Sequence, residues 1–257
     1  MSSRVNILGN RIDCFKSYHD LYFYVLKELR TKDIIKPYVT VNNVHTMVEA
    51  FWDSSYRAII NESFLSIPDG KPLQIVGRLK GNKDISRLFG PTVMEKFVDW
   101  GREDGVKHFF LGNSEENLKR LKQAIEKKYP GTIIAGMISP PFKPMKEWDN
   151  ERFAQLINDA KPDYIWVGLG APKQERWMNE NCQKMQTGIM FGIGAGFDYM
   201  AGNTKHAPQW MKNFALEWLF RLLQEPKRLW KRYLKTIPQF LFFASLELLG
   251  INFKTGK

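Results

Sequence analysis

Cysteine is scarce in this chain. Cys14 and Cys182 lie far apart and no C-x-x-C occurs, which excludes a zinc knuckle and a dithiol pair and suits a reducing compartment. The four histidines, His19, His45, His108 and His206, show no ligand spacing, and no D-x-D pair is present, so no metal site is expected. G-x-x-x-x-G-K-[ST] is missing, which argues against P-loop chemistry. "FGIGAGFD" holds a G-x-G without the rest of a dinucleotide fingerprint, so no cofactor is expected. Apolar runs are short. The longest candidate, "FLFFASLELLGINF", is interrupted by Glu247, so no spanning helix is expected. "MSSRVNILGNRIDCF" lacks the basic-then-apolar layout of a signal peptide. Acids are few: 27 Asp and Glu against 38 Lys and Arg leave a formal charge of +11. That excess predicts a polyanionic partner, whether nucleic acid, anionic lipid or a phosphorylated substrate.

Hydrophobic residues make up 44% of the 257, enough for a full core. Short apolar runs alternate with amphipathic stretches. "YVTVNN", "SFLSIPDG", "VKHFFLGN", "TIIAGMIS", "YIWVGLG" and "GIMFGIGA" read as strands. "NVHTMVEAFWDSSYRAI" has helical spacing, with Val44, Met47, Val48 and Phe51 on one face. "TVMEKFVDWGREDG", "SEENLKRLKQAIEKKYPG" (capped by Ser114), "NERFAQLINDA" and "PKQERWMNENCQKM" read as further helices. This alternation predicts an α/β fold, a Rossmann-like parallel-sheet core with helices on both faces. Composition shifts near Lys205 towards Trp, Phe, Leu, Lys and Arg. We therefore expect an α/β core over 1–204 and a basic, aromatic-rich helical appendage over 205–257.

In such sheets ligands bind beyond the C-terminal strand ends. Four of these ends carry polar groups: Thr40 and Asn42, then Asp69, then Lys173, Gln174 and Glu175, then Asp198. Asp69 in "IPDGKP" reads equally as an ordinary Asp-Gly turn and as a general base at a cleft. In "APKQE", a helix start favours anions, with Lys173 adding charge and Gln174 a directed hydrogen bond. The alternative is that Glu175 suits the first turn while the other two are solvated. In the appendage, Trp218, Leu219, Leu222 and Leu223 share a helical face, and Arg228, Lys231 and Arg232 follow Pro226. Cations beside aromatics fit an anionic membrane interface, single-stranded nucleic acid, or an amphipathic helix packed on the core with a solvated basic face.

Taken together, "VTVNN", "IPDG", "VGLGAPKQERW" and "GIGAGFDYMAGNTKHAPQWMKNFALEWLFRLLQEPKRLWKRYL" resemble the WecG/TagA/CpsF family of bacterial glycosyltransferases, over nearly the whole chain. The resemblance implies a cofactor-free, metal-independent enzyme that moves a sugar with inversion from a UDP-sugar to a polyprenyl-diphosphate-linked saccharide. It implies a cytoplasmic protein, peripheral on the inner face of the plasma membrane, and a possible homo-oligomer. It makes Asp69 the general base, with Thr40 and Arg87 at the active site. It gives Asn42, Lys173, Gln174 and Asp198 to the donor. It sets Arg221, Arg228 and Lys231 or Arg232 against the lipid diphosphate. The chain departs from the family pattern at Thr92, at His206 (where arginine is usual) and at Ala215 (where glycine is usual). A non-catalytic UDP-sugar or lipid binder, and a nucleic-acid-binding protein, are the competing expectations.

Overall fold

A computed structural model describes residues 3–31 and 34–251. The chain opens with two antiparallel strands, β1 (Ser3–Ile7) and β2 (Asn10–Cys14). Leu8 and Gly9 join them with φ of 52° and 79°, the tight mirror-image turn that matches strand twist. Then come α1 (Tyr18–Thr31), β3 (Tyr38–Asn42), α2 (Val44–Trp52), α3 (Ser54–Glu62), β4 (Leu65–Pro68), α4 (Lys71–Leu79) and α5 (Gly90–Trp100). β5 (Lys107–Gly112), α6 (Glu115–Lys128), β6 (Ile133–Ile138), α7 (Asn150–Ala160), β7 (Tyr164–Gly168), α8 (Lys173–Asn181) and β8 (Ile189–Gly192) follow. After them the chain is helical: α9 (Gly196–Met200), α10 (Gln209–Asn213), α11 (Glu217–Gln224) and α12 (Pro226–Leu248).

β3 to β8 form one six-stranded sheet in the order β4-β3-β8-β7-β5-β6, and every pairing is parallel. The parallel α/β core is as the sequence alternation implies. Apolar clusters cover both faces, one around Phe97, Phe110, Trp166 and Phe191, the other around Ile165, Val167, Trp177 and Met190. β3 winds outward to β4, while the later strands wind back to set β8 beside β3. β3 and β8 thus lie side by side inside the sheet, and a crevice opens beyond their C-terminal ends, where parallel sheets bind ligands.

The segment read as one helix over 43–59 is two. Asn43 caps α2, accepting hydrogen bonds from the N–H groups of His45 and Thr46. Asp53 ends α2 with extended backbone and caps α3, accepting the N–H of Tyr56. Ser114 caps α6 as expected, accepting the N–H of Asn117. The last helix is docked rather than free. Phe240 and Ala244 share an apolar cluster with Met47 and Phe51 of α2, and Phe243 stacks on Phe51 at 4.3 Å between centroids. No helix of the described residues is long and apolar enough to cross a membrane.

Candidate active site

A cavity of about 720 Å³ opens beyond the ends of β3, β4, β7 and β8, and α11 and α12 wall its far side.

Asp69 follows β4, and its N–H donates to the carbonyl of Asn42 at 2.7 Å. Its Oδ1 accepts the Gly90 N–H at 2.6 Å. Its carbonyl accepts the Arg87 Nε–H at 2.8 Å. Burial pushes the carboxyl up to about 6 against the opposing pull of Arg87, since losing solvent penalises the charged form. Arg87 lies over the Phe89 ring at 4.7 Å. Its guanidinium also reaches across the cavity to Glu217 of α11. Glu217 is buried and is the site residue that sequence reasoning passes over. Its signal is a carboxylate inside the Leu- and Trp-rich "LEWLF".

Gln174 lies in the first turn of α8 and is 4% exposed. Its Oε1 accepts the Gly170 N–H at 3.1 Å, and its Nε2 donates to Glu175 Oε1 at 2.8 Å. The amide is therefore fixed at both ends. The glycines after β8 make room for it. A Cβ on Gly192 would stand 3.0 Å from Gln174 Nε2, and Gly194 has φ of +53° and would set a Cβ 3.3 Å from Oε1. Glu175 lies in the first turn of α8. It is fully buried, and desolvation raises its carboxyl to about 7.

Thr40 and Asn42 do not reach the cavity surface. Both are fully buried with Ser66; Asn42 Nδ2 donates to Thr40 Oγ1 and to Ser66 Oγ, each at 2.9 Å. Asn43, one residue on, is the β3-end residue that lines the cavity with Val41. Lys173 is exposed and lies outside the lining. Asp198 also lies apart: its Oδ1 accepts from Asn113 at 3.2 Å and Asn117 at 3.0 Å.

While α12 packs on the core, α11 faces the reverse way from a helix so packed. In α11 the one buried residue is Glu217, whereas Trp218 and Leu223 are exposed. Arg221, Arg228 and Arg232 line the cavity. Glu225 holds the first two, pairing with Arg221 at 3.3 Å and Arg228 at 2.5 Å. Arg221 also sits over Tyr199 at 5.5 Å. Burial, together with the nearby Arg228 and Arg221, pulls Arg232 below its usual range. Of the pair left open by the sequence, Arg232 lines the cavity, and Lys231 is exposed against Trp230 at 5.5 Å.

The arrangement offers a carboxylate poised to take a proton, beside cations able to hold a diphosphate. Comparison with known proteins shows the family. The profile of the glycosyl transferase WecG/TagA/CpsF family matches residues 5–253. An N-acetylglucosaminyldiphosphoundecaprenol N-acetyl-beta-D-mannosaminyltransferase of Bacillus subtilis is 30% identical over 79% of this chain and 76% of its own length. Proteins of the same name from Bacillus spizizenii and Staphylococcus aureus are 28% and 26% identical, over 79% and 80% of the chain and 77% and 78% of theirs.

Proposed function

The chain belongs to the WecG/TagA/CpsF family and is a glycosyltransferase, and we propose that it moves a sugar from a UDP-sugar to a polyprenyl-diphosphate-linked saccharide with inversion. The relatives' printed names, each an N-acetyl-beta-D-mannosaminyltransferase acting on a diphosphoundecaprenol sugar, support N-acetylmannosamine as the sugar to test first.

The observation that carries the reading is Asp69. Its Oδ1 is held by the Gly90 N–H, which leaves Oδ2 for the proton of the acceptor hydroxyl. A base near 6 is ionised at neutral pH yet basic enough to accept that proton, which is worth ~10²–10⁴ in rate. The acceptor oxygen attacks the anomeric carbon, the C–O bond to the diphosphate breaks, and UDP leaves with the electron pair. Arg87, bonded to the Asp69 carbonyl and paired with Glu217, adds to the positive charge of the cavity that would stabilise the departing diphosphate. Arg221, Arg228 and Arg232 are the groups for the acceptor's diphosphate. Gln174, locked in orientation, is the donor-side contact.

Exposed Trp210, Leu223, Trp230 and Leu234 belong to the same helical segment as these cations and lie outside the cavity lining. They support a peripheral seat on an anionic membrane, with apolar groups at the interface and the cavity turned towards the lipid.

The experiment is UDP release from a panel of UDP-sugars with a short-chain sugar-diphosphate-lipid acceptor, for wild type and Asp69→Asn. Acceptor-dependent release from one donor, lost in Asp69→Asn, is expected. Undiminished release in the variant would remove Asp69 from the chemistry.

A further inference from the structure

The cavity does not end at Asp69. It runs on between α4 and α12, and its walls change character along the way. At the Asp69 end the lining carries Lys71, Arg87, Arg221, Arg228 and Arg232 against only Asp69 and Glu217. Farther out, α4 presents Ile75, Val76 and Leu79, spaced three and four residues apart and so on one face. Across from them α12 presents Ile237, Leu241 and Leu248. At their floor the faces join, with Val76 in one apolar cluster with Phe240 and Ala244, but above it they stay open: Ile75 is 45% exposed, Leu79 67% and Leu241 58%. At the far end of these faces the two helices are clasped. Lys80 Nζ meets Glu247 Oε1 at 3.1 Å, and Glu247 accepts the Leu8 N–H as well. The clasp fixes an open apolar trough that is continuous with the cationic end.

We propose that this trough holds the first isoprene units of the acceptor's lipid tail, while the arginines at its inner end hold the diphosphate. The proposal rests on the transferase reading and names the part of the acceptor that reading leaves open. Charge complementarity and continuity select the occupant. A diphosphate joined to a branched hydrocarbon matches a cavity whose cationic end lies at the reacting carboxylate and whose apolar end leads outward. α4 spans nine residues, ~13 Å at about 1.5 Å per residue. The trough therefore takes only the start of the tail and leaves the rest to the bilayer.

The test uses the full chain in buffer free of vesicles and detergent, with calorimetry on inorganic diphosphate, geranyl diphosphate and farnesyl diphosphate. Each methylene removed from water is worth roughly fourfold in binding, and a half-open trough realises part of it. Farnesyl diphosphate is expected to bind at least ~10-fold tighter than diphosphate. Leu79→Gln with Leu241→Gln should bring the two within about threefold, leaving diphosphate affinity in place. Both leucines are more than half exposed, so the substitutions leave the buried core untouched. Wild-type affinity indifferent to tail length overturns the proposal, as does tail dependence that survives in the double variant. Loss of vesicle binding alone also overturns it, because the leucines would then face the bilayer. If tail dependence holds and is lost in the variant while no donor and acceptor pair turns over, the trough stands and the transferase reading fails. Turnover without tail dependence sinks the trough alone.

Discussion

The guanidinium of Arg87, in the loop before α5, is paired with the carboxylate of Glu217 at the start of α11. One partner comes from the core that carries Asp69, the other from the helical segment that walls the cavity. The pair ties the two together across the site, and both side chains are largely withdrawn from water. Cutting one partner from a fully buried pair costs roughly 3–5 kcal/mol; here Arg87 keeps some access to solvent. Glu217→Ala is expected to cost about 2–3 kcal/mol in urea unfolding. Arg87→Met combined with Glu217→Ala should recover part of that loss, and additivity of the double variant with its two single variants would show the pair to be uncoupled.

Asp69 should set the acid limb of the pH profile. Its carboxyl is raised to about 6, so the base is protonated below that pH and free above it. We expect kcat/KM to fall with an inflection near 6 as pH is lowered. We also expect Asp69→Asn to lose ~10²-fold or more in kcat at neutral pH. Desolvation disfavours the ionised form, so the same substitution should raise Tm at pH 8 despite the lost activity. An inflection near 4 would mean that the carboxylate is solvated in the working enzyme.

Gly192 tests the locked amide of Gln174. A methyl there meets Met178 Cε at 2.8 Å and Gln174 Nε2 at 3.0 Å, so one of the two must move. Displacing the amide leaves kcat near its wild-type value and weakens the UDP-sugar. Gly192→Ala is expected to raise the donor KM by ~10-fold, about the worth of one hydrogen bond. Gln174→Ala should do the same. A change confined to kcat would place Gln174 in the chemical step instead.

Most of the strand and helix alternation from Tyr38 to Gly192 is legible because the strands are continuous apolar runs and the helices periodic ones; α4 (Lys71–Leu79) is the helix in that span that the sequence reading passes over. The position of Asp69 at the cavity follows from chain order in a parallel sheet, whereas that of Arg87, in the loop between α4 and α5, is what the family resemblance implies. What is not legible depends on packing between distant segments. β1 is mostly exposed, so its residues lack the apolar alternation that marks a strand. The break at Asp53 needs a side chain that ends one helix and caps the next. The burial of Thr40 and Asn42 depends on Ser66 of the neighbouring strand, and the burial of Glu175 on the surroundings of α8. Glu217 becomes a site residue only when α11 folds back over Arg87. Ala215, where the family pattern has glycine, takes φ of +60°, a left-handed conformation that sequence alone does not announce.

Glu175 should make stability fall with rising pH. Its folded-state carboxyl is raised to about 7 from 4.5. Between those values the folded chain holds a proton that the unfolded chain has released, so the stabilisation present at pH 4 is lost as pH rises through 7. At one pK unit per 1.36 kcal/mol this amounts to about 3 kcal/mol at most. The side-chain amide introduced by Glu175→Gln still offers an oxygen to Gln174 Nε2 and cannot ionise. The variant is expected to match wild type near pH 5 and to exceed it in urea stability at pH 8. Asp69 titrates in both proteins and cancels in the difference. Equal pH dependence in the two would show that Glu175 is ionised at no cost.

Membrane association is better tested on side chains than by truncation. Deleting the chain from Ala207 onward would also strip Phe240, Ala244 and Phe243 from the apolar cluster they share with Met47 and Phe51. Loss of binding could then mean only loss of folding. Trp210, Leu223 and Leu234 are exposed by 58%, 71% and 68% and lie outside the cavity lining. Replacing all three with serine removes apolar surface from the outer face while the arginines of the cavity stay in place. The triple variant is expected to lose co-sedimentation with phosphatidylglycerol vesicles yet turn over a soluble short-chain acceptor as wild type does. Wild-type binding should weaken as salt rises from about 0.05 to 0.5 M, because surface charges are screened beyond the Debye length. If the triple variant still sediments and salt releases it, the cations alone hold the membrane. If it sediments at every salt concentration, the anchoring face lies elsewhere on the chain.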